Sequence, residues 1–223
     1  LADFFKGADA VAELEIAHRF GTLADKYDTK DRLVELARKL RIMQAVGNGA
    51  DPEPVLLASG KVAERLMKQV LATVSEKRRR EISELLKLIR GKKCFALLGL
   101  DTEKTILELG YAEVPRALLN VDQSKLKHAL LTGSESLMPL TLATVLGAFM
   151  SERHPMKVLA EKNPNLLADI AAISDGRNPV AHDGVGGTTP SQMVAHANDL
   201  AEKAMILAET ILNALNAVEI TRE

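Results

Sequence analysis

Thr189-Pro190-Ser191-Gln192 opens the run TPSQMVAHANDLAEKAMILAETILNALNAV, residues 189–218, and the reading of that run decides the fold. A threonine followed three residues later by glutamine has the form of a capping box. In it the hydroxyl accepts a hydrogen bond from one end of the first helical turn and the amide reaches back to the other. Pro190 sits where a proline is tolerated, because the first backbone N–H of a helix has no partner in any case. Beyond the cap, Ala197, Ala201, Ala204, Ala208, Ile211, Leu215 and Val218 recur in alternating steps of four and three. That spacing lines one face of an α-helix. A seam of small residues predicts close approach of another helix, within the same bundle or across a dimer.

Composition points the same way. The 223 residues are 47% hydrophobic and 26% charged, which is globular and enough for one large or two small cores. Aromatic residues make up 3% and tryptophan is absent. A core of Leu, Ala, Ile, Val and Met favours helices over strands. The expectation is an all-α multi-helix bundle, with a helical N-terminal and middle region over 1–120 and a second helical domain over 121–223.

Reading outward from the last helix, Arg177-Asn178-Pro179-Val180-Ala181-His182 lies just before it, followed by Asp183 and the glycine-rich turn 184–187. Asn178-Pro179 repeats the cap-and-proline arrangement of Asn163-Pro164, which opens a helix over 165–174 stopped by Gly176. Further back, 123–131 reads as a short helix and 136–151 as one apolar on most sides.

At the other end, Val11, Leu14, Ile16, Ala17 and Phe20 predict a helix over 8–21 that ends near Gly21. A second begins at Asp28 or Thr29, carries Leu33, Leu36, Ala37, Leu40 and Met43, and stops at Gly47. The stretch Gly47 to Pro54, GNGADPEP, reads as a linker or exposed loop and a candidate boundary. Helices follow over 55–74, with Val62, Leu66, Val70 and Val74 as a stripe, and over 76–90. Residues 92–100 fit a short strand or a helix.

The formal charge is −1, so no global basic field advertises nucleic acid. Locally the balance differs: from Lys61 to Lys93 there are 11 basic residues against 4 acidic ones, an excess of +7. Lys77, Arg78, Arg79 and Arg80 fall on a first helical turn, where positive charge opposes the helix dipole unless an anion meets it. These four are the candidate RNA contacts. The single cysteine, Cys94, excludes an internal disulfide and a cysteine-rich zinc site, and suits a reducing cytoplasm. His18, His128, His154 and His196 form no ligand pair at a helical interval, so neither a metal nor another cofactor is expected. No apolar run reaches the length that spans a bilayer. The first residue is Leu, which suggests a processed chain or a piece of a longer one.

Arg177, Asn178 and His182 supply what a metal-free phosphodiester chemistry needs, a fixed cation, a side-chain amide and a group that titrates near neutrality. On this motif, on the glycines after it and on its place before a long last helix, the part from about 121 to 218 resembles a HEPN domain. The resemblance implies a helical, up-and-down bundle and a metal-independent endoribonuclease, often a toxin or an anti-phage effector. Two copies commonly pair so that two motifs face one cleft. It implies that Arg177 holds the scissile phosphate, that His182 moves the proton, and that Asn178 orients one or the other. Members without the chemistry serve as dimerisation or nucleotide-binding modules, so the alternative expectation is a non-catalytic adaptor of a larger assembly, with a regulatory protein or a parent chain as partner.

Overall fold

Every regular element among the described residues is helical, as the composition requires. The computed structural model describes residues 2–73 and 189–220 and, between them, 159, 162, 163, 166, 169, 170, 172 and 173. The helices are α1 (Ala2–Phe20), α2 (Leu23–Lys26), α3 (Lys30–Val46), α4 (Glu53–Thr73) and α5 (Pro190–Ile220), with a 3-10 turn at Gly47–Gly49. The chain divides into two compact units. One combines Leu1–Leu66 with Ala172–Asn216, and the other combines Met67–Ala171 with Ala217–Glu223. The boundary expected near residue 120 lies outside the described residues, as do the helices expected over 76–90, 123–131 and 136–151 and the ambiguous stretch 92–100.

In the first unit α1 packs against α3. It buries Ala8, Ala12, Ile16 and Phe20, a strict four-residue stripe. Of the expected stripe, Ile16 and Phe20 are buried, whereas Val11, Leu14 and Ala17 are not, and Ala8 and Ala12 take their place. Val11 is 42% exposed and Leu14 70% exposed. The cause is geometric: a row at i, i+4 holds one face over three turns, and its two alanines let the helices come close, whereas Val11 and Leu14 lie to one side of that row. Gly21 ends α1 as expected, with φ +53 and its N–H bonded to the Ala17 carbonyl at 3.0 Å.

The four-residue α2 is too short to leave a periodic signal, and the sequence does not announce it. It closes at Asp28, whose φ of +51 is a conformation that aspartate tolerates better than most residues. Thr29 precedes α3 but does not cap it with its side chain. Its hydroxyl and its N–H both donate back to the Ala24 carbonyl, at 3.2 and 2.8 Å, which fastens α2 to the start of α3. Leu33, Leu36, Ala37 and Met43 of α3 are buried, and Leu40 is partly covered.

At the end of α3, Gly47 adopts φ +75, and the stretch from Gly47 to Pro52 forms a short, mostly exposed connection. Asp51 accepts the Glu53 N–H at 3.0 Å, and the Pro52 carbonyl takes the Leu56 N–H at 3.1 Å, so the two residues together start α4. Val62 and Leu66 are buried in the first unit, with Val55, Ala58 and Ala63 beside them; Met67 and Val70, further along the same helix, are buried in the second. In the second unit Leu166 and Ile170 are buried as well. Asn163 there stands between helical residues. Its N–H and its side-chain amide both donate to the Leu159 carbonyl, and its own carbonyl accepts the Leu166 N–H at 2.9 Å.

The α5 helix opens as its sequence predicts. The Thr189 N–H donates to Gln192 Oε1 at 2.9 Å, and the Gln192 N–H donates to Thr189 Oγ1 at 3.3 Å. Met193 N–H closes the first turn on the Thr189 carbonyl. Thr189→Ala removes one acceptor from this reciprocal pair and is expected to cost about 1 kcal/mol, readable as a fall in urea midpoint at unchanged slope. Ala197, Ala201, Ala204, Ala208, Ile211 and Leu215 are all buried, and so are Leu200, Met205, Leu207 and Leu212 on either side. The alanine seam is therefore buried within the chain itself rather than left for a dimer. Side-chain pairs fix its direction: Ser191 with Asn48, Gln44 with Asn198, and Lys26 with Asn216. Hence α5 runs antiparallel to α3.

Candidate functional site

Arg177, Asn178 and His182 lie outside the described residues, and so do Lys77, Arg78, Arg79 and Arg80. What the structure places is the frame around the motif. On one side Ile170 and Ile173 are helical and fully buried; on the other the Thr189 cap and α5 begin. Between those anchors the chain spans 15 residues, 174–188, and the six-residue motif is inside that span.

The start of the basic tract is described, and its charge is largely answered by acids. Lys61 lies 3.6 Å from Glu35, and Arg65 is paired with Asp28, whose carbonyl also accepts the Arg65 Nε–H at 2.9 Å. Glu35 collects three cations. Lys39 donates to it at 2.7 Å, Arg32 at 3.2 Å from one turn back, and Lys61 approaches from α4. The Lys39 hydrogen bond is the main reason its carboxyl is held below the usual 4.5; burial opposes this, and the charges of Lys39 and Lys61 reinforce it. The sign follows by linkage. A carboxyl depressed in the folded state stabilises the fold above its unfolded value and loses that contribution as pH falls through the folded value. The stability gap between wild type and Glu35→Gln is thus expected at pH 7, shrinking below 4.5, in paired chemical denaturations. The gap is modest because Arg32 and Lys61 are about half exposed.

A second feature was not foreseen. A shallow cleft of about 600 Å³ opens beside α1, lined by Val11, Leu14 and His18 and by the ion-paired Glu15, Arg41, Arg19 and Glu209. Arg41 holds Glu15 at 2.6 Å, and Arg19 reaches both Glu209 at 3.2 Å and Glu202 at 3.5 Å from α5. The signal was present in the sequence: once Ala8 and Ala12 take the buried row, the larger Val11 and Leu14 are left outside it.

Among the described residues no group of three or more His, Cys, Asp and Glu side chains is placed to hold a metal ion. Nor is any helix among them long and apolar enough to cross a membrane. The described residues define the class, an all-α multi-helix protein. Comparison with protein families, curated proteins and solved structures gives no match.

Proposed function

We propose that this chain is a metal-independent endoribonuclease of the HEPN type, acting in the cytoplasm as a homodimer in a toxin or anti-phage system. The observation that carries the reading is Arg177-Asn178-Pro179-Val180-Ala181-His182, set directly upstream of a long last helix. The capping box and buried seam of α5 support it, because they give the helix after the motif a fixed start.

The chemistry follows from the side chains. A ribose 2′-oxygen attacks the adjacent phosphorus while the bond from phosphorus to the 5′-oxygen breaks. His182 of one copy takes the 2′-hydroxyl proton, and His182 of the other returns a proton to the leaving 5′-oxygen, since one imidazole does not readily serve both sides of an in-line displacement. Arg177, charged at every working pH, holds the phosphate and stabilises its developing charge with its planar fork of donors. Asn178 orients the imidazole or the phosphate. The products are a 2′,3′-cyclic phosphate and a 5′-hydroxyl.

The experiment is incubation of the purified chain with total RNA in excess EDTA beside Arg177→Ala and His182→Ala. Cutting by the wild type that both substitutions abolish is the expected result. Intact RNA in every lane, including with cell extract added to supply an activator, favours instead the non-catalytic adaptor. That second reading draws on the −1 net charge and on Lys61 and Arg65, at the start of the basic tract, each of which is paired with an acid of its own chain.

A further inference from the structure

We propose that Asn48 is a self-modifying site, where the side-chain amide is lost as ammonia and a carboxylate is left beside the start of α5. Eight asparagines occur in the chain, and Asn48 alone precedes a glycine. The glycine matters because the attacking group is the backbone nitrogen of the following residue, and glycine leaves that nitrogen unshielded by a Cβ and free to turn.

The local structure gives the reaction room. None of the residues of the 3-10 turn Gly47–Gly49 is buried, and Asn48 and Gly49 are both exposed. Gly47, at φ +75, and Gly49 flank Asn48, so this short connection opens without moving the packed residues of α3 and α4. The other described asparagines lack this freedom. Asn163 precedes Pro164, whose nitrogen carries no hydrogen. Asn198, Asn213 and Asn216 lie within α5, where the next backbone nitrogen belongs to the helical ladder, and the Asn198 amide also donates to the Val194 carbonyl at 2.9 Å.

The step needs only water. The Gly49 nitrogen, giving its proton to solvent, bonds to the side-chain carbonyl carbon of Asn48. The carbon–nitrogen bond of the amide breaks, ammonia leaves with a proton from solvent, and a cyclic imide remains. Water then opens the imide at either carbonyl, leaving aspartate or isoaspartate at position 48. The Ser191 hydroxyl, in the first turn of α5, donates to Asn48 Oδ1 at 3.5 Å. The new carboxylate therefore stands at the positive end of the α5 dipole, where a negative charge is favourable.

The native full chain is incubated in heavy-oxygen water at physiological temperature and pH, then digested with trypsin in ordinary water. Cleavage after Arg41 and Lys61 releases the peptide 42–61, in which Asn48 is the only asparagine. The same free peptide, incubated alongside, serves as the clock. Conversion of Asn48 in the native protein is expected within several-fold of the rate in the free peptide, with one heavy oxygen gained at residue 48. The peptides bearing Asn198, Asn213 and Asn216 are expected to keep their amides. Gly49→Ala, whose added Cβ meets nothing within 4 Å, is expected to slow conversion several-fold at unchanged melting. Asn48→Gln, longer by one methylene, is expected to stop it with Gly49 intact. Asn48→Asp is expected to melt no lower than wild type. A native protein that keeps the Asn48 amide while the free peptide loses it, or a Gly49→Ala protein that converts as fast as wild type, overturns the proposal. An Asn48→Asp protein that melts clearly lower overturns the favourable placement of the charge beside α5.

Discussion

Ile211→Ala is expected to lower the unfolding free energy by about 3 kcal/mol, the cost of removing a well-packed aliphatic side chain from a site that cannot collapse around the gap. Ile211 is fully buried on α5, between Ala208 and Leu215 on the seam and beside Leu212 and Leu207. Helices that pack through an alanine seam have little slack, so the neighbouring buried side chains relax only partly into the space left. For a chain of this length that loss corresponds to a fall of about 6–12 °C in Tm. Asn213→Ala, two residues on and exposed, is the control. It is expected within about 0.5 kcal/mol of wild type, since it trades a poor helix former for a good one and removes nothing buried. Thermal melts of the two variants side by side read the difference, and an Ile211→Ala protein as stable as Asn213→Ala would show that α5 is not packed as described.

His182→Ala is expected to slow RNA cleavage by about 10²–10⁴-fold, the range that a positioned general acid or base contributes. Arg177→Ala is expected to cost about 10²–10³-fold, the scale for removing one donor aimed at charge that develops in the transition state. The distinction between them lies in rescue. Arg177→Lys keeps the charge and loses the planar fork, so it recovers part of the rate. His182→Gln keeps hydrogen-bonding capacity and loses the titrating proton, so it recovers none. The double variant is expected to be scarcely slower than the worse single one, because groups that act as a unit are not additive. Single-turnover rates on a short RNA, with matched melting curves for each variant, supply the numbers.

Much of the fold was legible where a local rule faced no competitor. Thr189 and Gln192 meet as a capping box because both partners lie within one turn, and the four-three rhythm of Ala197 to Leu215 emerges as a buried face because no other stripe on that helix is as apolar. Gly21 and Gly47 stop their helices in positive-φ conformations that glycine adopts at little cost. Reading failed where two stripes competed. On α1 the larger side chains pointed to Val11 and Leu14, yet the core took Ala8 and Ala12, because close approach to α3 favours small residues over bulk. The start of α3 at Thr29 was read correctly, although its hydroxyl turns back to Ala24; reading failed at α2, which is a single turn set by its neighbours. For the motif, the types of Arg177 and His182 suggest a chemistry, but both lie outside the described residues, and how such side chains are placed is a matter of tertiary structure that spacing does not encode.

The most direct test of the central claim is the chemistry of the cut ends. Wild-type protein is incubated with a defined RNA in EDTA, and the fragments are resolved before and after treatment with a phosphatase active only on linear phosphates. Fragments bearing a 2′,3′-cyclic phosphate that resists the phosphatase, with a 5′-hydroxyl on the downstream piece and none of either from His182→Ala, are the predicted result. Ends carrying a 5′-phosphate and a free 3′-hydroxyl, or cyclic ends produced equally by His182→Ala, would contradict the account.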